Sequence, residues 1–301
     1  MRSAILRNDR CHNMMSLAVV FLLSSQAMGQ MWAPEIQQFN EAIRLDPTGA
    51  QALYERGCAY AKRSDFDRAI ADFSEAIRLD PGFAAGYTDR GLAWLPKRKY
   101  DAAIVDGDEA IRLAANRGGS ANVLTAAYIN RGLAWSAKGD YRRAISDDSE
   151  AVHLSPKMGL PYTRRASDWL ALLEYDRAIA DCDTALRLDP KDLSALGIRA
   201  LAWDGKGEPG RAVVAFDEIL RLYPKDTRTY YNRGLVRMRL GDFEGSVDDH
   251  TEAIRQDSKK LEAFIGRGDA WASLGEQAKA DEDYRRAEQL KKELRLHKSL
   301  Q

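Results

Sequence analysis

Seven arginines stand at regular intervals along this chain: Arg56, Arg90, Arg131, Arg165, Arg199, Arg233 and Arg267. Six are followed sixteen residues later by an aspartate, at Asp72, Asp106, Asp147, Asp181, Asp249 and Asp283. A guanidinium and a carboxylate can meet in two parallel hydrogen bonds, so the series reads as ion pairs tying one helix to the next. The other reading is a stripe of cations open to anions. Ala215 replaces the aspartate in the fifth segment. Arg199 is therefore expected either to reach Asp181 of the preceding segment or to stay available as an anion contact for a ligand carboxylate. The first is preferred, because buried charge is seldom left unpaired.

Other residues with chemical potential lack the company that catalysis needs. His12, His153, His250 and His297 show no metal-ligand spacing, and His250 falls in a position that packs the core. Asp106/Asp108 and Asp181/Asp183 are two residues apart inside helical segments and so face different ways. Neither pair is followed by the glycine and glutamate of a calcium loop. Gly205-Lys206-Gly207 is a turn without a phosphate-loop frame. Cys58 and Cys182 lie in different segments and read as buried thiols. No catalytic residue, cofactor or metal site is expected, and the chain does not read as an enzyme.

The elements that carry these residues repeat. Arg56-Gly57-Cys58-Ala59-Tyr60 returns as Arg90-Gly91-Leu92-Ala93-Trp94 and as Arg131-Gly132-Leu133-Ala134-Trp135, then more loosely from Arg165, Arg199, Arg233 and Arg267. The step is 34 residues, except for one of 41 between the second and third copies. A second string, Ala69 to Pro81, keeps phase with the first, and its echoes end at Pro156, Pro190 and Pro224. Ala69, Phe73, Ala76 and Ile77 make the i, i+4, i+7, i+8 stripe of an amphipathic helix, and the late proline stops it. Gly139, Gly207, Gly241 and Gly275 divide the two strings, suited to the left-handed residue that closes a helix. The acidic residue after each (Asp140, Glu208, Asp242, Glu276) is placed to cap the next helix. Each unit is thus helix A, tight turn, helix B.

This pattern resembles the tetratricopeptide repeat family over about residues 35–292. A lone B-type helix, Phe39 to Pro47, precedes seven units beginning near Ala50, Ala84, Thr125, Gly159, Leu193, Thr227 and Leu261. The resemblance implies an all-α fold, a right-handed α-solenoid of stacked helix-turn-helix repeats, with A helices lining a concave groove. Five of the six tryptophans share one repeat position, which the family fills with an interhelical aromatic; a ligand shelf is the other reading. The sixth unit departs most, with Arg237, Ser246, His250 and Ser258 where an aromatic, alanine, an aromatic and proline belong, and is expected to be the least stable. In the second unit, Pro96 shortens helix A. The seven extra residues there read as a loop near 114–123.

Carried over position by position, the resemblance makes the peptide groove Tyr54, Thr88, Asp89, Leu92, Ile129, Asn130, Leu133, Thr163, Arg164, Leu201, Tyr231, Asn232 and Leu235. Asn130 and Asn232 are placed to hydrogen-bond a peptide backbone. The Lys and Asn clamp that some family members use on a peptide carboxylate is absent. The expected function is a protein-protein interaction scaffold that takes a protein or peptide in its groove. The rivals are a self-associating repeat protein whose groove is filled by another subunit and a repeat-containing enzyme.

Residues 1–29 read as a signal peptide. Arg2, Arg7 and Arg10 precede an apolar run, Leu17 to Leu23, and Ala27-Met28-Gly29 ends it. The run is too short for a membrane span. Export to a periplasm or medium is the expectation; an N-terminal helix in a cytoplasmic protein is the alternative. Residues 30–49 then form the leading half-repeat, 50–292 the seven repeats and 293–301 a polar tail that extends the last helix. Lys plus Arg equals Asp plus Glu at 45 each, which gives no basic excess to suggest nucleic acid as a partner.

Overall fold

The computed structural model describes residues 33–116 and 120–299. The signal-peptide reading, and Arg117, Gly118 and Gly119 of the insertion, lie outside them. The described residues form fifteen α-helices and no strand. They fall into two compact bodies, the first ending at Lys157 and the second starting at Met158.

In the first body, α1 (Ala33–Leu45) precedes three hairpins: α2 (Ala50–Lys62) with α3 (Phe66–Leu79), α4 (Ala84–Trp94) with α5 (Tyr100–Asn116), and α6 (Ala121–Ala137) with α7 (Tyr141–Leu154). The second body has four hairpins. They are α8 (Gly159–Ala171) with α9 (Tyr175–Leu188), α10 (Leu193–Gly205) with α11 (Pro209–Leu222), α12 (Thr227–Leu240) with α13 (Phe243–Gln256), and α14 (Leu261–Ser273) with α15 (Gln277–Ser299). Within a body each A helix packs on its own B helix, and each B helix packs on the next A helix. Neighbouring A helices touch between α2 and α4, α4 and α6, α8 and α10, and α12 and α14. Each body is a stretch of α-solenoid.

Local chemistry sets the helix ends. Asp65, Asp140 and Asp242 accept backbone N–H bonds from Arg68, Arg143 and Gly245 and so cap α3, α7 and α13. Glu208, expected to do the same for α11, makes no side-chain cap bond; its extra methylene carries the carboxylate past the N–H groups. Gly139, Gly207, Gly241 and Gly275 take φ between +78° and +83°, where a side chain would be strained.

The stripe of α3 is buried: Ala69, Phe73, Ala76 and Ile77. Opposite Phe73 the A helix carries Gly57, where an added Cβ would stand 2.7 Å from the Phe73 ring. Gly57→Ala is therefore expected to destabilise the first body by about 1–3 kcal/mol, the range for overpacking a filled core, read by urea unfolding. An unchanged midpoint would show that the ring can move aside.

One expectation needs correction. The seven extra residues do not make a loop across 114–123, since α5 continues to Asn116 and α6 begins at Ala121, with Ser120 accepting the Asn122 N–H at its N-cap. The residues at both flanks extend helices instead. The stretch 293–299 extends the last helix as expected, since α15 runs through it to Ser299.

In the sixth unit the polar substitutions find partners. Arg237, in the aromatic position, reaches Asp249 Oδ2 at 3.1 Å, as Trp94 Nε1 donates to the equivalent Asp106 at 3.1 Å. Ser246 donates to the Gly234 carbonyl at 2.9 Å. His250 is the exception: it is fully buried, and neither ring nitrogen has a hydrogen-bond partner.

Candidate functional site

The six arginine–aspartate pairs all form as bidentate contacts between helices A and B, with distances of 2.5–2.9 Å. The same guanidinium also reaches back to the preceding B helix. Arg56 donates to Asn40, Arg90 to Ser74, Arg131 to Asp108, Arg233 to Asp217 and Arg267 to Thr251. Each of these arginines joins three helices, two of its own hairpin and one of the hairpin before it. Burial pushes the Asp249 carboxyl above its ordinary value even against the pull of Arg233. The pair therefore locks geometry more than it adds net stability.

Arg199 follows the ladder with different partners. It reaches Asp183 at 3.2 Å and Glu218 at 2.7 Å, not Asp181, which is held by Arg165. Glu218 lies nineteen residues on and takes over the charge that Ala215 lacks. Arg199 is thus satisfied within the protein. The tryptophans are also structural. Trp135, Trp169, Trp203 and Trp271 each pack half-buried with a cation over the ring: Arg143 at 4.4 Å, Arg177 at 4.6 Å, Arg211 at 4.5 Å and Lys279 at 4.3 Å. A covered face offers no shelf to a ligand.

The thirteen groove positions divide sharply by depth. Tyr54, Thr88, Asp89, Ile129, Asn130 and Thr163 are buried. The Tyr54 hydroxyl donates to Asp89 at 2.6 Å, and its ring meets Phe83 edge-on at 4.9 Å. Asn130 donates to the Thr88 carbonyl at 3.1 Å, and Thr163 to Asp192 at 2.7 Å. These side chains fill the seams where A helices meet. In the first body the bond expected for a guest's backbone is made by the protein's own backbone. Leu92 and Leu133 in the first body, and Arg164 in the second, are half-buried.

The second body is more open. Leu201 is 38% exposed, Ile265 is 39% exposed, and Tyr231, Asn232 and Leu235 are half-buried. The seam after α10 differs from those before it. In the first two seams the fifth residue of one unit meets the sixth of the next: the Tyr54 side chain bonds Asp89, and Asn130 bonds the Thr88 backbone carbonyl. Here the fifth position is Gly197, and a Cβ built there would meet nothing within 4 Å. The sixth position of the next unit is Asn232, whose amide makes no hydrogen bond among the described residues. Leu201 lies one turn along α10 from Gly197, and Leu235 one turn along α12 from Tyr231. In repeat register, open space at Gly197 stands where Tyr54 and Thr88 stand in the first two seams, and the Asn232 amide where Asp89 and Asn130 do. The missing side chain of Gly197 was the signal for this gap.

Among the described residues no cluster of His, Cys, Asp and Glu is placed to hold a metal ion, and no helix is long and apolar enough to cross a membrane. Burial pushes the Cys182 thiol up to about 12, so it is not a thiolate nucleophile near neutral pH.

Comparison with known proteins places this architecture. A tetratricopeptide repeat model matches residues 50–83, and a second model of the same description matches residues 163–227 and 231–293. No curated protein sequence matches the chain. Among solved structures, a tetratricopeptide repeat protein from Parabacteroides merdae superposes with a TM-score of 0.62 at 18% identity, covering 80% of this chain and 93% of that one. MamA from Desulfovibrio magneticus gives 0.52 at 18% identity, covering 56% and 96%. YrrB, described as having an unusual peptide-binding site, gives 0.51 at 18% identity, covering 64% and 95%. At such identities the likeness concerns the fold. With repeat models matched in both bodies and the hairpins in place, the chain belongs to the tetratricopeptide repeat family.

Proposed function

We propose that this protein is an interaction adaptor, and that it holds an extended segment of a partner protein against the A helices of its second body, at the notch between Gly197 and Asn232. The observation behind this reading is the empty fifth position beside an unbonded amide, where the first two seams are filled. A carboxamide both donates and accepts, so Asn232 matches the N–H and C=O of one peptide residue. Leu201 and Leu235 suit an apolar side chain next to it. A notch between two helices that both pack on α11 loses little entropy on binding. An exported location is part of the proposal and rests on residues 1–29 alone. A reporter active only outside the cytoplasm, fused after residue 40, tests it, and silence rejects it.

Peptides selected from a random display library on the full chain provide the test of the notch. Gly197→Trp, which fills it, and Asn232→Ala are each expected to weaken the selected peptides by about tenfold or more, about 1.4 kcal/mol. Tyr54→Phe, in a buried seam, is expected to leave them unchanged. Peptides indifferent to both notch variants would sink the proposal. A chain that selects no peptide and sediments as a closed dimer would replace it with the self-associating reading.

A further inference from the structure

The turns between helices A and B carry an uneven charge. In the first body they span residues 61–68, 95–102 and 136–143, with nine Lys and Arg against four Asp. The equivalent turns of the second body, 170–177, 204–211, 238–245 and 272–279, hold five Lys and Arg against seven Asp and Glu. The excess does not come from a basic body, since the described residues of the first body hold sixteen Lys and Arg against eighteen Asp and Glu. Cations are concentrated on one edge of an otherwise acidic unit, and such an edge attracts anions.

The turns lie next to one another. Lys97, after α4, pairs with Asp67 of the preceding turn at 2.6 Å, and Lys138, after α6, pairs with Asp101 in the same way. These pairs use up two of the nine cations and two of the four aspartates. Arg63, Arg98, Lys99 and Arg142 are left exposed, with no ion-pair partner among the described residues. At least one free cation thus stands on each of three consecutive turns, at hairpin spacings of about 10 Å.

We infer that this edge is a second interaction surface, and that it docks an acidic, extended segment of a partner protein. In a polyproline II segment three residues make one turn and span about 9 Å, so carboxylates at every third position share a face and meet successive turns. The interleaved Asp67 and Asp101 suit discrete carboxylates better than the even charge of a lipid surface or a duplex. Two aromatic rings beside the turns are already covered, Tyr60 by Arg68 at 5.5 Å and Trp135 by Arg143. Single-stranded nucleic acid binds through stacking on such rings.

The probe is a labelled eighteen-residue peptide of Glu-Ala-Ala repeats, read by fluorescence anisotropy on the full chain, with a Gln-Ala-Ala peptide as the neutral control. The acidic peptide is expected to bind, and the variant Arg63→Glu/Arg98→Glu/Lys99→Glu/Arg142→Glu to bind it at least about tenfold more weakly, since each exposed contact contributes up to about 1 kcal/mol. Raising salt from about 50 to about 300 mM weakens the wild type and flattens that difference. Lys225→Glu/Arg228→Glu/Arg221→Glu/Lys259→Glu changes net charge equally, on exposed positions of the second body, and retains binding. Asn232→Ala also retains it, which separates this surface from the notch. The eight charge-reversed positions are all exposed, and far-UV circular dichroism checks that every variant folds. The inference is overturned if the edge variant binds like the wild type, if the charge control loses as much, or if phosphatidylserine vesicles or a single-stranded oligonucleotide bind more tightly than the peptide.

Discussion

Asp249→Ala is expected to destabilise the second body by about 3–5 kcal/mol, the cost of leaving a buried charge without its partner. Asp249 is 2% exposed at its side chain and Arg233 14%. The carboxylate takes two bonds from Arg233 and a third contact from Arg237. Its removal takes the buried partner from Arg233 at a seam where α11, α12 and α13 meet, and leaves Arg237 to the Gly245 carbonyl and Asp242. Asp217 contacts the same arginine from α11, but its side chain is 51% exposed. Asp217→Ala is therefore expected to cost less than about 1 kcal/mol. Urea unfolding followed by circular dichroism gives both values. A loss below about 1 kcal/mol for Asp249→Ala would show that the ladder does not hold the hairpins together, and the anion-stripe reading would regain its place.

The ladder also shows what a single sequence can disclose. A spacing of sixteen between opposite charges is the same in six units, so the within-hairpin pairs were legible without coordinates. The backward contacts were not, because their partners change type from unit to unit: Asn40, Ser74, Asp217, Thr251. Only a constant separation links them, and the 41-residue step breaks even that at Arg131. Arg199 was misassigned for a related reason. Asp183 stands at the variable backward spacing, and Glu218 at a spacing where Glu75, Glu109, Glu150 and Glu252 also stand, in units whose own aspartate takes the arginine.

Helix starts were readable because proline, glycine and the apolar stripe mark them from both sides. Six of the seven A helices begin on the residue that the spacing named. The seventh, α6, starts four residues early. Its extra residues include Ala121 and Leu124, and good helix formers next to a helix lengthen it at little cost. The groove was less legible. The family pattern says which face of helix A a residue is on, but depth depends on the neighbour across the seam. Tyr54 is sealed because Asp89 accepts its hydroxyl proton and Phe83 covers its ring. Asn232 is open because Gly197 supplies nothing to cover it.

Lowering the pH from 7 to below 4 is expected to remove about 3 kcal/mol of stability from the second body through His250 alone. Burial holds this imidazole down at about 4, against an ordinary value of 6.5. Asp269 on α14 pulls it upward and Arg267 on the same helix pushes it down, while Tyr231 on α12 lies 5.6 Å away, ring to ring. Above pH 6.5 the ring is neutral in both the folded and the unfolded chain, and its contribution is intact. Between 6.5 and about 4 the unfolded chain takes up a proton that the folded chain excludes, so stability falls with pH. Below about 4 both states hold the proton and the loss is complete. The geometry gives the proton no welcome: an added Cβ at Gly234 or Gly266 would stand 2.9 or 2.5 Å from the ring, so the imidazole is gripped between two backbones with no acceptor in reach. His250→Phe isolates the effect, because Phe73 and Phe216 occupy the equivalent position in other repeats and Gly57 makes room for Phe73 as Gly234 does here. Urea midpoints of the wild type and His250→Phe, compared at pH 7, 5.5 and 4, are expected to diverge as the solution becomes more acidic, the wild type losing more. Parallel curves would mean that the buried ring finds a partner for its proton, and the acid sensitivity of this body would then have to come from the carboxylates of the arginine ladder.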